Sequence, residues 1–143
     1  MRIRDVLTSK SDDAVVTIGP DATVRELLGL LAEHNVGAVV VSSDGEAVDG
    51  IVSERDIVRR LADSDAVLDG AVSAIMTSDV QTCEPDVPVD DLRRLMTERR
   101  IRHVPVVTNG KLTGIISIGD VVKSSIGQLQ FERDQLDSYL HQT

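Results

Sequence analysis

The chain has 143 residues, of which 41% are apolar, and carries 15 Lys+Arg against 24 Asp+Glu for a net charge of −9; it fits one globular body with a packed core. That acidic balance argues against general nucleic-acid binding, because it repels phosphate backbones, and no run approaches the ~20 apolar residues of a membrane span. The single cysteine, Cys83, excludes an internal disulfide, and residues 1–6 lack the apolar region of a signal peptide, which together point to a reducing, cytoplasmic setting.

Residues 15–18 read as a short strand closed by Gly19-Pro20. Asp21 or Thr23 is placed to cap the helix that follows, in which Val24, Leu27, Leu28 and Leu31 keep helical spacing. The β-branched run at 38–41 predicts a buried strand, and Ser43-Asp44-Gly45 a turn. Residues 48–52 continue as a strand, and 54–62 as a helix with Ile57, Val58 and Leu61 facing inward.

The same order then returns 65 residues later, falling to 64 after the turn. Val80 matches Val15, Pro85-Asp86 matches Pro20-Asp21, and Val89, Leu92 and Met96 match Val24, Leu27 and Leu31. Each copy closes on one skeleton: Gly50-Ile51-Val52-Ser53-Glu54-Arg55-Asp56 and Gly114-Ile115-Ile116-Ser117-Ile118-Gly119-Asp120. Agreement this long marks an internal duplication. Each β-α-β-β-α unit is too short to bury much surface alone, so two copies pack about a pseudo-twofold axis. The fold class is therefore α/β (α+β). Residues 1–64 form the first unit with its lead-in, 65–73 a linker, 74–126 the second unit, and 127–143 a helical extension.

Ser-x-x-Asp at a strand-to-helix junction either caps the helix or presents polar groups to a ligand, and the two roles are compatible. In the extension, Ile126, Leu129, Leu136 and Leu140 keep a 3-4 spacing interrupted by Arg133. That helix either packs back on its own body or pairs with a second subunit.

This set of motifs resembles the cystathionine-β-synthase (CBS) domain pair, or Bateman module, over about residues 5–126. Thr-x-x-Pro-Asp at 17–21 and 82–86, and Arg102-His103-Val104-Pro105, add to the resemblance. It implies a regulatory module that binds an adenosine-containing ligand between the repeats and signals to a partner protein. AMP, ADP and ATP stand first, with NAD and S-adenosylmethionine behind them; no cofactor is required. In the main cleft the resemblance implies Asp120 at the ribose hydroxyls, Ser117 near ribose or phosphate, and Arg102 and His103 toward phosphate. Thr8, Asp13, Val36, Gly37 and Ala38 would surround the base. The mirror cleft would hold Ser53 and Asp56 opposite Thr77, Ser78 and Ile101. Gly37-Ala38 stands where the second unit has Arg102-His103, so the mirror cleft is the weaker phosphate site.

The competing expectation is a homodimeric interaction scaffold with empty clefts. An enzyme is disfavoured: Ser117, His103 and Asp120 lack a nucleophile-elbow or oxyanion signature, and no Walker or Gly-x-Gly-x-x-Gly sequence is present. His34, His103, His141 and Cys83 show no metal-ligand spacing.

Overall fold

A computed structural model describes residues 1–10 and 15–141. The first unit contains β1 (Thr17–Ile18), α2 (Val24–His34), β2 (Ala38–Val41), β3 (Gly50–Ser53) and α3 (Glu54–Leu61), preceded by α1 (Ile3–Ser9). The second contains α4 (Val89–Arg99), β4 (His103–Thr108), β5 (Lys111–Ser117) and α5 (Ile118–Leu140). In the first sheet β1 runs parallel to β2, and β2 pairs antiparallel with β3. Val39 and Val41 enter the core of this unit, while Ala38 and Val40 are buried on the opposite face.

The strand expected at 15–18 pairs only at Thr17 and Ile18. Its counterpart in the second unit shrinks to one bridge, between Cys83 and Val106. Cys83 N–H donates to the Pro105 carbonyl, and Val107 N–H to the Cys83 carbonyl, at 3.0 and 2.9 Å. Pro105 occupies the position of Val40, and without an N–H it cannot carry this ladder further toward Gln81. Of the two possible caps for α2, Thr23 does the work: its hydroxyl accepts from Glu26 N–H, and Glu26 reaches back to Thr23 N–H.

The lead-in segments exchange places. Ile3 and Val6 of α1 belong to the core of the second unit, with Val89, Leu92, Met96, Val104 and Ile116. Val72 and Ile75 belong to the core of the first, with Val24, Leu27, Val39 and Val52. The backbone bonds repeat with the same symmetry. Ile3 N–H donates to Val87 O, as Val72 N–H does to Ala22 O; Arg4 donates to Pro85, as Ser73 does to Pro20. Residues 65–73, expected as a linker, thus hold a 3-10 turn at Asp65–Asp69 and the fully buried Val72. Two glycines make the exchange possible. A methyl at Gly50 would lie 2.9 Å from Thr77 O, and one at Gly114 would lie 2.8 Å from a Leu7 methyl.

The extension continues α5 without a break, giving one helix of 23 residues. It does not fold back: Ile126, Leu129, Leu136 and Leu140 are each more than half exposed. Among the described residues, no helix is long and apolar enough to cross a membrane.

Candidate functional site

The two Ser-x-x-Asp sequences form matching helix starts. Ser117 Oγ accepts from Asp120 N–H at 3.2 Å, and Asp120 Oδ2 accepts from Ser117 N–H at 2.9 Å. Ser53 and Asp56 repeat the box, with Asp56 Oδ2 accepting from Ser53 N–H at 2.8 Å and from its hydroxyl at 3.1 Å. Capping is therefore one real role of both pairs. Among the described residues only Oδ2 is engaged in each pair, and Oδ1 accepts no hydrogen bond. A capping carboxylate with a spare oxygen at a partly exposed helix N-terminus can take a ligand hydroxyl while it caps.

The sheets bring the neighbouring predicted residues alongside. His103 pairs in register with Ser117, and Ala38 with Ser53. Ile118 N–H donates to Arg102 O at 2.8 Å, as Glu54 N–H donates to Gly37 O at 3.0 Å. A methyl built on Gly37 would stand 3.7 Å from His103 Cε1 of the other unit and 3.2 Å from Glu54 Oε1 of its own. Gly37 thus keeps open the place where the two units approach. Other predicted residues sit less centrally. The Thr8 hydroxyl donates to Arg4 O within α1, and the Arg102 side chain is exposed. Val36 is exposed and Ala38 buried, while Ile101 is half-buried against the second core. In the mirror cleft Ser78 is exposed, and Thr77 exchanges both backbone bonds with Ile51, each at 2.9 Å. Asp13 lies outside the described residues.

Lys10 is the residue that sequence reasoning missed. Its ammonium donates to Asp120 Oδ2 at 3.0 Å and to Ile115 O at 2.9 Å, and both side chains are mostly covered. It is one of three lysines in an arginine-rich chain, just after the lead-in, but 110 positions from its partner. Nothing local announces that pairing. Glu54, whose carboxylate lies beside Gly37, is a second such residue.

Burial alone would raise the Asp120 pKa, but the Ser117 N–H and Lys10 outweigh it and hold the carboxyl below its ordinary range. His103 is shifted down, chiefly by burial; Asp120 and Glu54 oppose the shift, while Lys10 and Arg102 reinforce it. The imidazole is therefore neutral near pH 7, and the fixed cation of the cleft is Lys10. Between α1 and α5 runs a groove of about 590 Å³ that Asp120, Lys10, Lys123, Asp5 and Phe131 help to line. Among the described residues no cluster of His, Cys, Asp and Glu could hold a metal ion. Burial pushes the Cys83 thiol up to about 11, which leaves it unreactive.

A duplicated β-α-β-β-α body with exchanged lead-ins and a capping aspartate at each closing helix defines a paired-repeat α/β protein. The CBS domain family model matches residues 3–63 and 72–127. A mitochondrial CBS domain-containing protein of Arabidopsis thaliana is 35% identical over 96% of this chain and 71% of its own. The crystal structure of a CBS-domain protein from Agrobacterium tumefaciens superposes with a TM-score of 0.82 at 46% identity, covering 87% of this chain and 99% of that one. The CBS domain pair of the protein MJ0100, solved with 5′-methylthioadenosine and S-adenosyl-L-methionine, gives a TM-score of 0.79 at 25% identity over 90% and 98% of the two chains. This chain belongs to the CBS domain family, whose pairs are regulatory modules.

Proposed function

We propose that the cleft around Asp120 binds an adenine nucleotide, AMP, ADP or ATP, and that occupancy is reported to a partner protein. The observation that carries this reading is Asp120 Oδ1, which accepts no hydrogen bond among the described residues, beside a held ammonium and close to His103, which Gly37 faces from the other unit. A solved relative of the same fold holds adenosine compounds. A ligand touching Asp120 on one unit and Gly37 on the other favours one relative arrangement of the two. It shifts that equilibrium only by its differential affinity for the two arrangements. NAD and S-adenosylmethionine share the adenosine part and follow as candidates. The mirror cleft at Ser53 and Asp56 is the weaker site, because among the described residues no basic side chain pairs with Asp56.

Calorimetry and thermal shift with AMP, ADP, ATP, NAD and S-adenosylmethionine test the proposal. Ligand at 100 times its Kd raises stability by about 2.7 kcal/mol. Asp120→Ala weakens that binding by roughly 1–3 kcal/mol, whereas Asp56→Ala removes the equivalent cap and leaves the stronger site in place. Equal loss of binding in both variants would show that Asp120 acts only as a cap.

A second reading, self-association through the extension, rests on the exposed stripe Val122, Ile126, Leu129, Leu136 and Leu140. With Arg133 these residues keep a 4-3-4-3-4 spacing, the seam of a two-stranded coiled coil. The occupant it fits is a second copy in parallel. Arg133 then lies at a seam position beside its partner copy's acidic flank, supplied by the equivalents of Glu132 and Asp137, and that pairing fixes the register.

A further inference from the structure

The two units differ at one equivalent carbonyl. In the first unit Ile51 O accepts the backbone N–H of Thr77 at 2.9 Å; in the second, Ile115 O accepts the Lys10 ammonium at 2.9 Å. A side-chain cation has replaced a neutral backbone donor, and it spends its second bond on Asp120 Oδ2. An ammonium has three donors, so among the described residues one remains for another acceptor. The flexible four-carbon stem lets it follow that acceptor without losing its anchorage on the strand.

The geometry points to Lys10 as the residue that makes the Asp120 cleft select phosphate-bearing adenosine compounds over neutral or cationic ones. This rests on the reading of the cleft as an adenosine site and goes further by fixing the ligand's charge class. A neutral nucleoside must share Asp120 with the ammonium and gains nothing from its third donor. A phosphate accepts that donor in a charge-assisted bond. A sulfonium compound brings a second positive charge toward a carboxylate that Lys10 has already neutralised. Among the described residues the other charges close by offset each other in pairs: Glu54 opposes a phosphate and Arg102 attracts it beside the neutral His103, and Asp5 and Lys123 stand together along the groove. Lys10 therefore decides the sign. Asp56 has no such ammonium among the described residues, and the mirror cleft lacks this selectivity.

The test is calorimetry of wild type, Lys10→Met and Lys10→Arg with adenosine, AMP, 5′-methylthioadenosine and S-adenosylmethionine, at two salt concentrations. Wild type binds AMP at least about ten-fold more tightly than adenosine, equivalent to 1.4 kcal/mol, and the ratio narrows in high salt. Lys10→Met brings the ratio to near one by weakening AMP while adenosine holds or tightens; Lys10→Arg keeps it above one. A parallel loss of AMP and adenosine in Lys10→Met, or an unchanged ratio, would mean that Lys10 is a strut for Asp120 and overturn the inference while leaving the adenosine site standing. Binding of none of the four by wild type would overturn the site and the selectivity together.

Discussion

Gly50 opens the first closing motif, and replacing it with alanine tests how the lead-in exchange is held. The added methyl would stand 2.6 Å from Met76 Sδ, 3.0 Å from Met76 Cγ and 2.9 Å from Thr77 O. Met76 is a flexible thioether and can turn aside. Thr77 O cannot, because it accepts Ile51 N–H at 2.9 Å while Thr77 N–H donates to Ile51 O at 2.9 Å. The methyl therefore separates a bonded pair of backbones. Overpacking costs about 1–3 kcal/mol and each weakened bond about 1 kcal/mol, so Gly50→Ala loses roughly 2–4 kcal/mol. At about 2–4 °C per kcal/mol for a chain near this size, the melting temperature falls by roughly 4–16 °C. The three atoms nearest a methyl at Gly114 are Leu7 side-chain carbons, at 2.8, 3.1 and 3.6 Å, and a side chain yields where a backbone does not. The loss in Gly114→Ala is about 1–2 kcal/mol. Urea titrations of the two single variants and of Gly50→Ala with Met76→Ala measure the order. If Thr77 O is the obstacle, removing Met76 restores little. The reasoning fails if Gly50→Ala is as stable as wild type, if Gly114→Ala is the worse of the two, or if Met76→Ala rescues Gly50→Ala fully.

Further outcomes follow from the site and the extension. His103 takes up a proton less readily in the folded protein than its ordinary value of 6.5, so the unfolded chain protonates first and stability declines as pH falls through about 6.5. Asp120, held low, contributes stability that is complete above 3.8 and lost as pH falls below it. Urea midpoints between about pH 4.5 and 8 should slope less in His103→Asn than in wild type; parallel curves would contradict the burial of this imidazole. Truncation after Gly127 should abolish dimer formation in sedimentation experiments and leave the melting temperature of the body within about 3 °C, because the removed apolar side chains are exposed. Arg133→Leu should strengthen association, and a truncated chain that still dimerised would place the interface elsewhere.

By itself the sequence determined the duplication, the fold class and the closing motifs. These are legible because helix caps, β-branched runs and turn glycines act over a few residues, and repetition at a fixed offset doubles each signal. Ser117-x-x-Asp120 is such a case: its capping geometry follows from local spacing. Only the tertiary structure decided that α1 and Val72 pack on the opposite repeat's core, because both lead-ins are apolar enough for either unit. It also decided that Pro105 reduces the second unit's first strand to one bridge, since the missing N–H matters only once Cys83 lies beside it. Lys10 is the clearest instance. Its partners Ile115 and Asp120 stand 105 and 110 positions away, and a surface lysine becomes the cation of a cleft only when the chain has folded around it.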